Sequence, residues 1–153
     1  MLKRQSGFTY VAMLFALAIF AVGLAAIGES WSTASHREKE DELLRIGQAY
    51  ERAIAEYYLM SPGSVKIYPH SLTELVEDRR FVGTVRHVRR IYFDPFTGND
   101  KWGMVAAPDG GIAGVYSLSE KETLKKQNTV LRDGTIVGGA RYSDWKFIYQ
   151  PKS

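Results

Sequence analysis

The distribution of charge divides the chain into two parts. Residues 8–28 form a run of 21 consecutive uncharged and mostly apolar residues, whereas the sequence from Glu29 onward mixes charged and apolar residues. At 1.5 Å per residue, such a run forms a helix about 30 Å long, which matches the hydrocarbon thickness of a bilayer. The pattern predicts a transmembrane helix over residues 8–29. The basic residues Lys3 and Arg4 in front of it predict a cytoplasmic N-terminus.

The helix is predicted to continue over residues 30–60, because this stretch contains no proline. Its apolar residues follow three- and four-residue steps, the spacing of one face of an amphipathic helix. The apolar stripe consists of Leu43, Ile46, Tyr50, Ile54 and Tyr57. The charged face opposite consists of Arg37, Glu38, Lys39, Glu40, Asp41, Glu42, Arg45, Glu51 and Arg52. Pro62 and Gly63 end the helix, which would be about 80 Å long if continuous.

Residues 65–153 are predicted to form a short helix and an antiparallel sheet. Ser71 and Glu74 match a capping box, which predicts a helix with Leu72, Leu75 and Val76 on its inner face. Extended segments bounded by turn residues follow it. They are Val85–Phe93, Trp102–Ala106, Ile112–Leu118, Thr135–Val137 and Asp144–Tyr149. The sequence therefore predicts an α+β domain over residues 30–153, with a sheet of three or four strands packed on the helix.

Composition excludes several kinds of chemistry. The chain has no cysteine, so it has no disulfide, thiolate metal site or cysteine nucleophile. Its three histidines, His36, His70 and His87, have no ligand spacing and are expected at the surface or in caps. No nucleophile elbow, phosphate-binding loop or paired-histidine helix is present. We therefore expect no enzyme activity, no cofactor and no metal, and the net charge of +3 does not indicate non-specific nucleic-acid binding.

The first 28 residues allow three interpretations. Ala25-Ala26-Ile27-Gly28 could be a signal-peptidase site, although the apolar run is longer than that of a conventional signal peptide. A plain signal anchor is the second interpretation. The third, which is favoured, takes residues 1–7 as a short basic leader that ends at Gly7 and is followed at once by Phe8 and an uncharged helix.

This third pattern resembles the class III signal of type IV pilins and type II secretion pseudopilins. The resemblance implies that a prepilin peptidase cleaves between Gly7 and Phe8 and that the new N-terminal Phe8 is methylated. It also implies the type IV pilin-like fold, a long N-terminal helix packed against a small antiparallel sheet. One residue departs from the family pattern, since Ala12 occupies the position of the usual acidic residue. Helix packing would then depend on small residues such as Ala16, Gly23 and Gly28.

The C-terminal region is similar to the same family. The motifs Tyr-Pro-x-Ser-Leu-x-Glu-Leu from Tyr68, Asp-Pro-Phe-Thr-Gly from Asp94, and Ile-Ala-Gly-Val-Tyr-Ser-Leu-Ser from Ile112 look like those of the major pseudopilin. Subunits of that kind bind calcium in a loop after the last motif. Here residues 119–127 contain two glutamates among three lysines, a poor ligand set for a hard dication, so calcium is disfavoured.

One cluster of basic residues predicts a charged contact surface. It consists of Arg79, Arg80, Arg86, Arg89 and Arg90. Arginines beside exposed aromatic side chains can bind DNA. Pairing with acidic residues of neighbouring subunits is the favoured interpretation, because charge clusters usually belong to paired or solvated surfaces. Nucleic acid is therefore not an expected partner.

Together these features predict a structural subunit of a type II secretion filament. The subunit would lie in the bacterial inner membrane with a single pass and a periplasmic C-terminal domain. Its expected partners are the prepilin peptidase and methyltransferase, other pseudopilins in a homo- or hetero-oligomeric helical filament, and an inner-membrane assembly platform. The alternative is a major or minor type IV pilus subunit for adhesion, motility or DNA uptake. A third hypothesis is a membrane-tethered periplasmic binding domain that never polymerises.

Overall fold

A computed structural model describes residues 6–125, 128–130 and 136–151 of the chain. The side chains of residues 6, 7 and 22–33 are outside this description. The chain divides into two compact units, Met1–Glu38 and Lys39–Ser153, which are considered separately. The leader residues Lys3 and Arg4 lie outside the described residues. Gly7, Gly23 and Gly28 belong to the first helix, but their surroundings are not described.

The N-terminal helix, α1, extends over Ser6–Leu59. It forms because residues 6–59 contain no proline, and alanine and leucine, both strong helix formers, are frequent. In the first unit its described side chains are apolar and exposed from Phe8 to Ala21, apart from the polar Thr9. The prediction of one helix that continues through residues 8–60 is confirmed to within a residue.

The predicted membrane span is not found. Among the described residues, no helix combines the length and the apolar character needed to cross a membrane. The prediction of a single-pass inner-membrane protein with a periplasmic C-terminal domain is contradicted by this finding.

In the second unit, the apolar stripe of α1 forms one side of the core. All five predicted stripe residues, from Leu43 to Tyr57, are buried. They belong to one apolar cluster with Leu72 and Leu75, Trp102, Val115, Trp145 and Phe147. Gly47 lies between the stripe residues and faces Phe147 so closely that a β-carbon there would overlap the ring. The core therefore requires glycine at this helix position.

The strands confirm most of the predicted sheet. Strand β1 is Gly103–Ala106, β2 is Ile112–Tyr116 and β5 is Lys146–Ile148, and they form an antiparallel sheet in the order β1-β2-β5. A separate two-stranded sheet pairs β3, Thr129–Val130, with β4, Ile136–Val137. A single turn of 3-10 helix, Tyr142–Asp144, precedes β5. The chain is thus α+β, with an N-terminal helix and small antiparallel sheets.

Two local predictions are wrong. Val85–Phe93 is not a strand, because only Val85 pairs in a bridge, with Asp78, and the N–H groups of His87 and Val88 both donate to Leu75 O. These amides are therefore taken by a turn of the short helix α2, Leu72–Val76, and cannot join a sheet. The capping box is also not formed. The Ser71 hydroxyl contacts Thr73, and Glu74 accepts the N–H of His70 instead.

Candidate assembly surfaces

The first candidate surface is the apolar segment, defined as Phe8–Ala21 of α1. Phe8 is 82% exposed, Phe15 68% and Phe20 72%, so its large side chains have almost no cover within the described chain. Ala16, predicted as a small packing residue, and Ala12, at the position of the usual acidic residue, are also exposed here. A helix that is apolar on all sides needs a surrounding of other apolar groups. The apolar segment is therefore suited to packing against further apolar helices.

The predicted arginine cluster separates into exposed and enclosed members. Arg79, Arg86, Arg89 and Arg90 are exposed, and Arg79 contacts Glu77 at 3.3 Å. Within the described residues, the other three form no ion pair. Residues 86–90 are called the arginine segment below. Its unpaired guanidinium groups can bind anionic groups of a partner.

Arg80 differs from the other four arginines, because its side chain is only 15% exposed. Its guanidinium donates to both carboxylate oxygens of Asp78, at 2.9 and 2.7 Å, and to Ser61 Oγ and Tyr57 O. It also lies 3.4 Å above the centre of the Tyr57 ring. These contacts join α1 to the chain after α2, so Arg80 supports the fold rather than the contact surface for which it was predicted.

Asp78 is fully buried and contacts two side chains, those of Arg80 and His87. Besides the Arg80 contacts, its Oδ2 lies 3.1 Å from Nε2 of His87, whose other ring nitrogen is 3.7 Å from Glu56. Burial opposes ionisation of Asp78, but the hydrogen bonds from Arg80 and His87 outweigh it and lower its pKa to about 2. The prediction of surface or capping histidines is therefore wrong for His87, whose side chain is 2% exposed.

A polar cleft of about 530 Å³ lies beside this network. It is formed by the end of α1, residues 67–74 and residues 77–80, and Glu74 is one of its lining carboxylates. Glu74 accepts the hydroxyl of Tyr57 at 2.7 Å and the N–H of His70 at 3.1 Å. Burial and this hydroxyl contact raise the pKa of Tyr57. Among the described residues Glu74 forms no ion pair, although the guanidinium of Arg80 lines the same cleft and interacts with it electrostatically.

Sequence reasoning placed Glu40 on the charged face of α1, but this residue is fully buried. Its Oε1 accepts the N–H groups of Leu124 and Lys125 and the hydroxyl of Tyr142, at 2.8, 3.3 and 2.8 Å. Burial, together with the contact to Glu40, raises the pKa of Tyr142. Glu40 therefore fixes a distant segment onto α1. Glu51, which was also predicted on the charged face, is buried as well.

The segment predicted to be a poor calcium loop is held by contacts within the protein. Glu120 pairs with Arg141 at 2.6 Å, and the Thr123 hydroxyl donates to Gly139 O. Residues 126 and 127 of the predicted loop lie outside the described residues. The described side chains include no group of three or more acids, histidines or cysteines placed to hold a metal. Whether this loop binds calcium stays a prediction.

A comparison with protein-family models, curated proteins and solved structures gives no match to this chain. The functional assignment therefore depends on the surfaces themselves and on the residues around Gly7.

Proposed function

We propose that this chain is a structural subunit of a type II secretion filament, a pseudopilin with the type IV pilin-like fold. In this proposal a prepilin peptidase removes residues 1–7 by cleavage after Gly7, and Phe8 becomes the methylated N-terminus. The mature subunit then assembles with other pseudopilins into a helical filament on an assembly platform. Its role is structural, with no catalysis and no cofactor.

The exposed apolar segment carries this proposal. An isolated helix with phenylalanine, leucine and isoleucine exposed around its circumference would be costly in water, since burying each large side chain contributes about 1.5–3 kcal/mol. Packing the segments of many subunits together would bury these side chains. Because Ala12 and Ala16 lie among them, neighbouring helices could approach closely.

The second unit supports the same proposal in a different way. Its own core buries the stripe of α1 under the sheet, so the unit is already folded and would decorate the filament without rearrangement. The described ion pairs join residues within the unit and leave the side chains of Arg86, Arg89 and Arg90 available for contacts between subunits. A catalytic role has no corresponding support, because the paired groups of Asp78, Arg80 and His87 are buried and hold the fold.

Mass spectrometry of the mature N-terminus tests the maturation step. After co-expression of the full chain with a prepilin peptidase, we expect a product that begins at methylated Phe8. Gly7→Val should block cleavage, whereas the neighbouring change Ser6→Ala should leave it unaffected. An intact Met1, or a product that begins at Glu29, would contradict the pilin-like maturation.

Electron microscopy of the co-expressed assembly system tests filament formation. We expect filaments that contain the chain, and loss of protein secretion when its gene is deleted. Loss of motility or DNA uptake with normal secretion would favour a pilus subunit instead. A soluble or tethered monomer after correct cleavage would support the non-polymerising binding domain.

A further inference from the structure

The second unit exposes apolar side chains at both of its ends along α1. At one end, the Nζ of Lys66 donates to the carbonyl oxygen of Leu59, the last residue of the helix. At the other end, the N–H of Leu124 donates to Oε1 of Glu40. The helix rises about 30 Å between Glu40 and Leu59, so the two ends are far apart on one subunit.

The tip loop, defined as residues 59–67, closes the C-terminal end of α1. The N–H of Ile67 donates to Ser61 Oγ at 3.2 Å, and Lys66 Nζ donates to Leu59 O and Ser61 O at 2.7 and 3.3 Å. These contacts fold the returning chain onto the helix end and satisfy carbonyl groups that the helix leaves free. Four apolar side chains of the loop remain exposed, those of Leu59, Met60, Val65 and Ile67. Apolar side chains gathered in this way often mark a contact surface.

The base segment, defined as residues 122–124, lies at the other end. Thr123 is buried and its hydroxyl donates to Gly139 O at 2.9 Å, whereas Glu122 and Leu124 on either side of it are exposed. Because neighbouring side chains of an extended chain point in opposite directions, Glu122 and Leu124 face the same side. The base segment therefore presents an acidic and an apolar side chain together.

The charged groups of the two surfaces have opposite signs. Among the described residues, neither Lys66 nor Glu122 forms an ion pair. Beside the base segment, Lys125 pairs with Asp41 at 2.8 Å and is not available to Glu122. Lys121 is also exposed, but alternation along the extended chain directs it away from the side of Glu122. The tip loop thus has a cation, and the base segment an anion, without a partner in the described part of the subunit.

Other charged groups near the two surfaces already have contacts within the subunit. Glu120, just before the base segment, pairs with Arg141 at 2.6 Å. Asp109, in the hairpin beside the tip loop, accepts the N–H groups of Tyr68 and Gly111 at 2.9 and 3.0 Å. Neither acid forms an ion pair with the lysine of the tip loop, so this lysine can pair with an acid of another molecule.

We propose that the tip loop of one subunit packs against the base segment of a second copy in the filament, with Lys66 paired to Glu122, an inference that rests on the proposed function. One chain carries both complementary surfaces at opposite ends, which is why the occupant is a second copy. The contact is heterologous, so it repeats from copy to copy along α1 instead of closing on itself. It fixes the shift between the two copies at about 30 Å, the rise of α1 between the two ends.

Charge reversal in the full chain tests the pairing. Lys66→Glu and Glu122→Lys should each lower the yield of filaments about tenfold, because like charges would meet in the contact. Combining the two changes in one chain restores opposite charges and should recover at least half of the parent yield. Lys101→Glu, the same charge change at another exposed lysine, is the matched control and should assemble normally.

Glu122→Gln separates the charge from the fold. The Glu122 side chain is exposed and has no ion pair among the described residues, so this variant should unfold at the same urea concentration as the parent chain. Its filament yield should still fall about threefold, because the charge that attracts Lys66 is lost. Unchanged yields for both Glu122→Gln and Glu122→Lys would overturn the pairing.

A substitution in the tip loop tests the apolar part of the contact. Val65 is 74% exposed, so Val65→Asp should leave the urea midpoint of unfolding unchanged. It should lower the filament yield about tenfold, because the contact would bury an unpaired carboxylate. Met104→Asp places the same charge at an exposed apolar residue of β1, away from both ends, and should assemble normally. Equal yields for the two variants would contradict the contact.

Cross-linking identifies the occupant. Because the chain has no cysteine, thiols introduced by Val65→Cys and Leu124→Cys are the only ones present. Filaments that contain both variants should give covalent dimers with a short bis-maleimide, and filaments of either variant alone should not. Filaments without these dimers, including filaments in which a different protein cross-links to the tip loop, would overturn the contact between copies. Failure of the parent chain to form any filament would instead overturn the proposed function.

Discussion

The two apolar regions of α1 differ in how their side chains are arranged and covered. Between Leu43 and Tyr57 the apolar residues form one stripe, and the sheet and α2 bury that stripe completely. In Phe8–Ala21 the apolar residues surround the helix, and their side chains are exposed. A stripe can be covered by one layer of the same chain, whereas a helix apolar on all sides must be surrounded. The arrangement of apolar residues thus separates a region that is covered within its own chain from an exposed region, which we propose is the assembly surface.

The largest expected effect comes from placing a charge in the apolar segment. Phe15→Asp should reduce assembly at least a hundredfold, because burial of an unpaired carboxylate costs several kcal/mol and each 1.4 kcal/mol is tenfold in an equilibrium constant. Filament yield measures this effect, and Phe15→Leu is the apolar control. The urea midpoint of unfolding should not change. Normal assembly of Phe15→Asp would show that this region is not the assembly surface.

A substitution in the buried stripe should affect the stability of the fold. Tyr50→Ala should lower the free energy of unfolding by about 3–5 kcal/mol, since it removes a large buried aromatic ring. It also leaves the N–H of Tyr92 without its acceptor. Urea denaturation followed by circular dichroism measures the loss, and Phe20→Ala in the apolar segment should cause none. Equal losses for the two variants would remove the distinction between the regions.

The contacts of Asp78 with Arg80 and His87 add to this comparison, because they show that charged groups, and not apolar packing alone, stabilise the second unit. Asp78→Asn should cost roughly 3 kcal/mol, since Arg80 would lose its ionised partner. The pKa of Asp78 is lowered to about 2 from 3.8, so its contribution to stability is complete above about pH 4 and is lost as the pH falls through 2.

The contribution of ionised Asp78 to stability can be followed by measuring the urea midpoint of unfolding at pH 5, 3 and 2. The parent chain should lose stability over that range more steeply than Asp78→Asn, which lacks the titrating carboxyl. Parallel curves for the two proteins would mean that the acid-sensitive groups lie elsewhere.

The smallest expected effect concerns Gly47. Alanine favours a helix interior over glycine by about 1 kcal/mol, but overlap with Phe147 should cost about 1–3 kcal/mol, so Gly47→Ala should be destabilising overall. In a Phe147→Ala background the overlap disappears, and Gly47→Ala should then stabilise. A double-mutant cycle on the urea free energies measures this reversal. The same sign in both backgrounds would show that the ring does not limit the helix surface.

Residue pattern predicted the parts of the fold that depend on local sequence. The stripe of α1 and the strands Ile112–Tyr116 and Lys146–Ile148 follow from periodicity and turn residues. The residue pattern did not predict the burial of charged side chains whose contacts lie far away in the sequence. Glu40 looked solvated because its neighbours in sequence are charged, and its partner Tyr142 lies 102 residues away. His87 and Arg80 are enclosed because both contact Asp78, which no spacing rule indicates.

The candidate surfaces were predictable to different degrees. The uncharged run over residues 8–28 predicted the apolar segment. The predicted cluster of five arginines includes Arg86, Arg89 and Arg90 of the arginine segment. The cleft was not foreseen, because its walls come from α1, the 67–74 segment and the chain after α2. The membrane span was predicted from the length of the uncharged run alone, and the described helix does not provide it.

The contact of Glu40 with Leu124 and Tyr142, and that of Gly47 with Phe147, also constrain the order of events during synthesis. Helix α1 leaves the ribosome early, but its apolar stripe has no complete cover until Phe147 has been made. At about 5–20 residues per second, the hundred residues between them imply a delay of roughly 5–20 s. Such non-local pairing also slows folding itself. The apolar stripe of α1 in the nascent chain therefore remains partly uncovered for several seconds.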